Sequence, residues 1–128
     1  MAHRYAFTSQ DAPTPGGAYS QAIGTDEIVW TAGLGPQHPV TGEIVGSDVT
    51  EQTHQVLRNL RAVLAAAGCE FKDVVKTTVH LSDLHRDFRE FDAVYREYFT
   101  APYPARTTVG SDLYGILVEI DVVAVRPA

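Results

Sequence analysis

One cysteine, Cys69, is all this chain of 128 residues contains, so it can close no disulfide within itself and build no cysteine-cluster zinc site. A lone thiol fits a reducing compartment. No apolar run nears the ~20 residues that a membrane helix needs, and the opening Met1-Ala2-His3-Arg4-Tyr5 lacks a signal-peptide core. The expectation is a cytoplasmic protein without a membrane segment. Cationic charge is scarce too: ten Lys and Arg stand against sixteen Asp and Glu, a formal net charge of −6. Those ten are scattered rather than gathered into the basic stripe that neutralises phosphates, which argues against a nucleic-acid partner. The five histidines (His3, His38, His54, His80, His85) show no metal-ligand spacing, and no phosphate loop, nucleophile elbow or dinucleotide fingerprint occurs. Neither a metal nor a cofactor is expected.

What is present suits one globular domain spanning 1–128, with 45% hydrophobic and 20% charged residues. Residues 11–18 hold two prolines and two glycines and read as an irregular lead-in. Residues 19–24 and 28–33, joined by Thr25-Asp26-Glu27, read as a hairpin. From Asp48 the period becomes helical: Val49, Thr53, Val56, Leu57, Leu60, Val63, Leu64 and Ala67 form one stripe. Asp48 with Glu51 resembles a capping box, and Gly68 suits the position just past the helix end. Residues 74–81 alternate as a strand, with Val75, Thr77, Val79 and Leu81 on one face. Residues 87–99 are helical again, and the prolines at 102 and 104 stop them. Residues 105–111 and 116–125 read as the last two strands. The expected fold is α+β, in the order β-β-α-β-α-β-β, with both amphipathic helices on one face of a mixed sheet.

The last strand makes the other face informative. Ile116, Val118, Ile120, Val122 and Ala124 share one side, wholly apolar, and belong under the helices. Leu117, Glu119, Asp121, Val123 and Val125 share the opposite side, which is too apolar for water yet carries two carboxylates. Such a face meets another subunit, so a closed homo-oligomer is expected, with Glu119 near a subunit boundary. Arg106 follows the bend at Pro104 and shares a strand face with Thr108. An arginine fork binds a carboxylate in two-point geometry, and a fixed acid can hold a water or move a proton. On spacing alone, an arginine there is more often half of a structural ion pair, and an acid such as Glu119 more often solvated or salt-bridged. Tyr19 reads by default as a half-buried strand aromatic, and nothing near Cys69 would activate its thiol.

Taken in order, Tyr19-Ser20-Gln21-Ala22, Thr31-Ala32-Gly33, Thr41-Gly42-Glu43-Ile44-Val45-Gly46, Glu51-Gln52-Thr53, Asn59-Leu60, Ala66-Ala67-Gly68, the run from Asp73 to Val79, Pro104-Ala105-Arg106 and Val118-Glu119-Ile120 resemble the Rid family, also called YjgF, over nearly the whole chain. That resemblance implies a chorismate-mutase-like fold, a homotrimer with ligand sites between subunits, and cofactor-free hydrolysis of reactive enamines and imines such as 2-aminoacrylate to 2-keto acids and ammonia. It implies Arg106 as the clamp for a small-molecule carboxylate substrate and Glu119 as the acid that positions the water. It also implies Tyr19 at the pocket wall, Gly33 with its amide toward the ligand, and Thr108 as a further ligand contact. Ala32 and Leu34 depart from the family's Ser-Gly-Gln, Ala18 replaces a proline, and the 110–115 loop is short. These departures point to a substrate other than 2-aminoacrylate, either bulkier or bearing another substituent. A binding or chaperone-like module without turnover is the alternative, and the ribonuclease activity sometimes attached to the family is disfavoured by the acidic balance.

Overall fold

A computed structural model describes residues 3–128. Six strands form one sheet: β1 (Tyr5–Phe7), β2 (Ala22–Gly24), β3 (Ile28–Thr31), β4 (Val74–Leu81), β5 (Ala105–Gly110) and β6 (Val118–Val125). Two helices, α1 (Val49–Ala66) and α2 (Leu84–Tyr98), complete the fold, with a 3-10 turn at Phe71–Asp73. The sheet order is β1-β2-β3-β6-β4-β5, and every pair is antiparallel except β4 with β5, which the α2 crossover makes parallel. The expected α+β sandwich of one mixed sheet and two helices is what forms. Among the described residues no helix is long and apolar enough to cross a membrane.

Helix α1 starts where the sequence signals it. The Asp48 carboxylate accepts the Glu51 N–H at 2.8 Å, satisfying one of the unpaired first-turn donors. The reciprocal half of a capping box does not form. Gly46, at a φ of +91°, leaves the Glu51 carboxylate lying against it, within 3.0 Å of where a Cβ would stand. At the other end Gly68 adopts a φ of +75°, its N–H bonds Ala65 O, and the Cys69 N–H bonds Leu64 O at 2.8 Å. This paired closure draws Cys69 into the core, where it is buried and its thiol pKa is pushed up by desolvation.

The stripe of α1 and the apolar side of β6 meet as expected. Leu57, Leu60, Val118 and Ile120 are fully buried, and Phe91, Val94 and Tyr95 of α2 close the layer over β4. Burial of this kind stabilises by about 1.5–3 kcal/mol per large side chain. Three expectations are corrected. Strand β1 was absent from the sequence reading, because three mostly exposed residues carry no period. Its Phe7 ring reaches the site where a Gly24 Cβ would stand, at 2.9 Å. Helix α2 begins at Leu84 rather than 87, with Asp83 accepting the Arg86 N–H, since its first turn has a single apolar residue to betray it. A bulge between Val74 and Lys76 reverses the parity at the start of β4. Val74 therefore enters the core and Val75 is 49% exposed, the opposite of the simple alternation.

Candidate functional site

The acid comes first, because it sits in the cavity. Val118 and Ile120 point into the core, so Glu119 between them emerges on the face away from the helices. There it lines a cavity of about 530 Å³ together with Tyr19, Gly33, Leu34, Gln37 and Tyr114. Gly33 is needed for this placement: a Cβ at residue 33 would lie 2.6 Å from Glu119 Oε2, so any side chain there displaces the carboxylate. Tyr19 is not in a strand, as the sequence reading had it. It belongs to the loop before β2, half exposed, and its hydroxyl accepts the Gly16 N–H at 3.1 Å. Strand β3 likewise ends at Thr31, and the chain continues past Gly33 to a single bridge between Leu34 and Ile120.

Loops make the cavity walls, and buried amides hold them. Gln21 accepts the Ser9 N–H at 2.7 Å and donates to Ser9 O and Pro13 O. Asn59 donates to Gly35 O at 3.0 Å and Gln37 O at 2.8 Å, while its own oxygen accepts from Gln55. Gln52 joins Gly46 O to the Leu117 N–H. All four side chains are buried; Gln21, Gln52 and Asn59 satisfy loop backbone that would otherwise be unpaired at a cost of about 1–3 kcal/mol per group, and Gln55 orients Asn59. The sequence reading gave these residues no role, although Gln21, Gln52 and Asn59 stand in its motifs. A polar residue on an otherwise apolar helix stripe was the available signal.

The arginine lies elsewhere. Arg106 is paired in register with Thr77 of β4, whose buried hydroxyl bonds the Tyr95 hydroxyl of α2. Arg106 therefore points to the helix side, and so does Thr108, which is in register with fully buried Val79. The guanidinium stands 4.6 Å from the Tyr95 ring centroid and 5.6 Å from those of Phe88 and Phe91, within cation–π range. Its Nη1 donates to Asp92 Oδ1 at 2.8 Å, and the other Asp92 oxygen accepts from Arg96 Nε at 3.0 Å. Desolvation raises the Asp92 pKa, but the bonds from Arg106 and Arg96 outweigh it and hold the carboxyl below its ordinary range. The family resemblance implies that clamp and acid meet in a site between subunits. Within one chain Arg106 and Thr108 are on one side of the sheet, while Tyr19, Gly33 and Glu119 line a cavity reached from the other.

Among the described residues, no Lys, Arg or His lines the cavity. Beyond Glu119 the outer face continues with Asp121, whose carboxylate lies 3.9 Å from His80 Nε2, while His80 Nδ1 is 2.7 Å from Ser111 Oγ. Desolvation raises the Asp121 pKa, against the lowering pull of His80 and Lys76. Trp30 and Val125 remain 44% and 46% exposed on the same face. Paired with Val123 and Ile28, they leave an apolar patch open.

The fold is shared with known proteins. The family model described as "Endoribonuclease L-PSP" matches residues 9–126. A RutC family protein of Pyrococcus horikoshii is 43% identical over 120 residues, covering 92% of this chain and 94% of its own. The 2-iminobutanoate/2-iminopropanoate deaminase of Homo sapiens is 37% identical over 125 residues, covering 96% and 90%. The crystal structure of a Rid family protein from Yersinia pestis superposes with a TM-score of 0.91 at 36% identity, over 96% of this chain and 99% of that one. This chain belongs to the endoribonuclease L-PSP family, the group also called Rid or YjgF.

Proposed function

We propose that the chain is a cofactor-free imine deaminase whose site is completed by a second copy of itself. Glu119, held against Gly33 in a cavity that no described Lys, Arg or His lines, carries this reading. A 2-imino acid brings a carboxylate that needs a fork to hold it, and Arg106 stands on β5, the edge strand of the sheet, where a neighbouring copy can be reached. The open apolar patch on the outer face supplies a surface for that neighbour. Closure into a ring of three, as the family resemblance implies, would give three equal sites. Each would take Arg106 and Thr108 from one chain and Glu119, Gly33 and Tyr19 from the next.

The chemistry asks little of the protein. Glu119 accepts a proton from a water as its oxygen bonds to the imine carbon, and passes that proton to the nitrogen, which takes the C=N π electrons, giving a carbinolamine. Glu119 then accepts the hydroxyl proton as the C=O bond forms and the C–N bond breaks, and gives it to the nitrogen, which leaves as ammonia. A 2-keto acid remains. The site contributes orientation and a placed base rather than a strong electrophile. The deaminase of Homo sapiens, at 37% identity, is one relative whose name bears on this reaction. The test is ammonia release from 2-imino acids generated freshly in solution. Wild-type protein should exceed both Arg106→Ala and Glu119→Gln, and wild-type turnover no faster than Arg106→Ala would refute the assignment. Binding of keto acids with no ammonia release would instead make the chain a binding module.

A further inference from the structure

The clamp does not face a substrate with its full charge. Asp92 already holds Nη1 of Arg106 at 2.8 Å, and the pair is largely withdrawn from solvent, with side-chain exposures of 22% and 18%. Aromatic rings of Phe88, Phe91 and Tyr95 surround the guanidinium on the helix side, so what remains for a ligand is the rim carrying Nη2 and Nε. Arg96, which holds the second Asp92 oxygen, is 68% exposed and spends much of its charge on water. Arg106 thus offers its N–H groups while its cationic field is largely cancelled.

We propose that Asp92 sets the charge preference of this site, letting Arg106 bind uncharged carbonyl-bearing imines, such as carboxamides, nearly as well as carboxylates. The inference rests on Arg106 serving as the clamp, as in the function proposed above. A guanidinium with a free charge favours an anion over a neutral acceptor because the charge-assisted bond is roughly twice as strong. With a carboxylate already on Nη1, an incoming anion meets a like charge a few ångströms away, and the advantage shrinks. A neutral acceptor meets no such opposition. Asp92 is therefore a positioning and selectivity residue rather than a catalytic one.

Calorimetry with two matched probes, 2-oxobutanoate and 2-oxobutanamide, reads this directly as the ratio of their dissociation constants. Asp92→Asn keeps an oxygen to accept from Nη1 but removes the charge, and the preference for the acid should rise on the order of tenfold. Arg96→Gln, at an exposed position, lets Asp92 bear more fully on Arg106, and the preference should fall about threefold. Both probes sense the same folded fraction, so partial unfolding leaves the ratio unmoved. An unchanged or lowered preference for the acid in Asp92→Asn overturns the proposal while leaving the clamp intact. Undiminished 2-oxobutanoate binding by Arg106→Ala overturns the clamp itself, and this proposal with it.

Discussion

The two faces of the sheet carry charge in opposite ways. On the helix side, Arg106, Asp92 and Arg96 form a chain of ion pairs against aromatic rings, and both Asp92 oxygens are taken. On the outer side, Glu119 opens into a cavity that no described Lys, Arg or His lines, and Asp121 is partly desolvated with His80 at 3.9 Å. The helix side is finished by the chain itself. The outer side leaves apolar surface and carboxylates open beside each other, as the proposed neighbouring copy would require.

Core and outer face should respond most differently to truncation. Phe91→Ala, at a fully buried position, should cost about 3–5 kcal/mol in chemical denaturation. Trp30→Ala removes a ring that is 44% exposed. It should leave the folded chain's circular dichroism intact while lowering the mass seen by light scattering. A Trp30 variant that assembles normally would break the contrast between the faces.

Asn59→Ala tests the amides beneath the cavity. It leaves the carbonyls of Gly35 and Gln37 without their partner, a loss of about 2 kcal/mol. Gly33→Ala should spare stability and lose function instead. Its Cβ would displace the Glu119 carboxylate, and a misplacement of that size costs roughly 100-fold in turnover. An active Gly33→Ala enzyme would take Glu119 out of the reaction.

The smallest effects have opposite signs. Asp92 has a lowered pKa, so its contribution is fully present above the unfolded carboxylate range and lost as pH falls through its lower folded value. Asp121 has a raised pKa, so its ionisation opposes folding at neutral pH, and that opposition is relieved as pH falls through its folded value toward the unfolded one. At pH 7, Asp92→Asn should lower the denaturation midpoint and Asp121→Asn should raise it, and both differences should vanish in strong acid. A lowered midpoint for Asp121→Asn would place a cation from a neighbouring copy against that carboxylate.

Much of this was legible in the sequence, and what was not has physical causes. Helix α1 has a long stripe, a capping aspartate and a terminal glycine, three local signals that agree. The parity of β6 is fixed by five apolar residues in alternation, which is why Glu119 could be put on the outer face. Val74 and Val75 misled because a bulge changes parity without a residue type that marks it. The separation of Arg106 from Glu119 was hidden for a related reason. Strand β4 lies between β5 and β6, and no local pattern in β5 says which of its sides meets the helices. Asp92 was equally silent, since its meaning depends on a guanidinium fourteen residues away. The sequence argument that an arginine there is more often half of an ion pair holds in this structure, and the clamp reading now has to accommodate it.

The central claim, that a working site takes its arginine and its acid from different copies, is tested by mixing two inactive variants. Arg106→Ala and Glu119→Gln should each fail to release ammonia from 2-imino acids. After co-refolding at equal amounts, a ring of shared sites pairs an intact arginine with an intact acid in about a quarter of its sites, and activity should return to about that fraction of wild type. A mixture as inactive as its components would contradict the account.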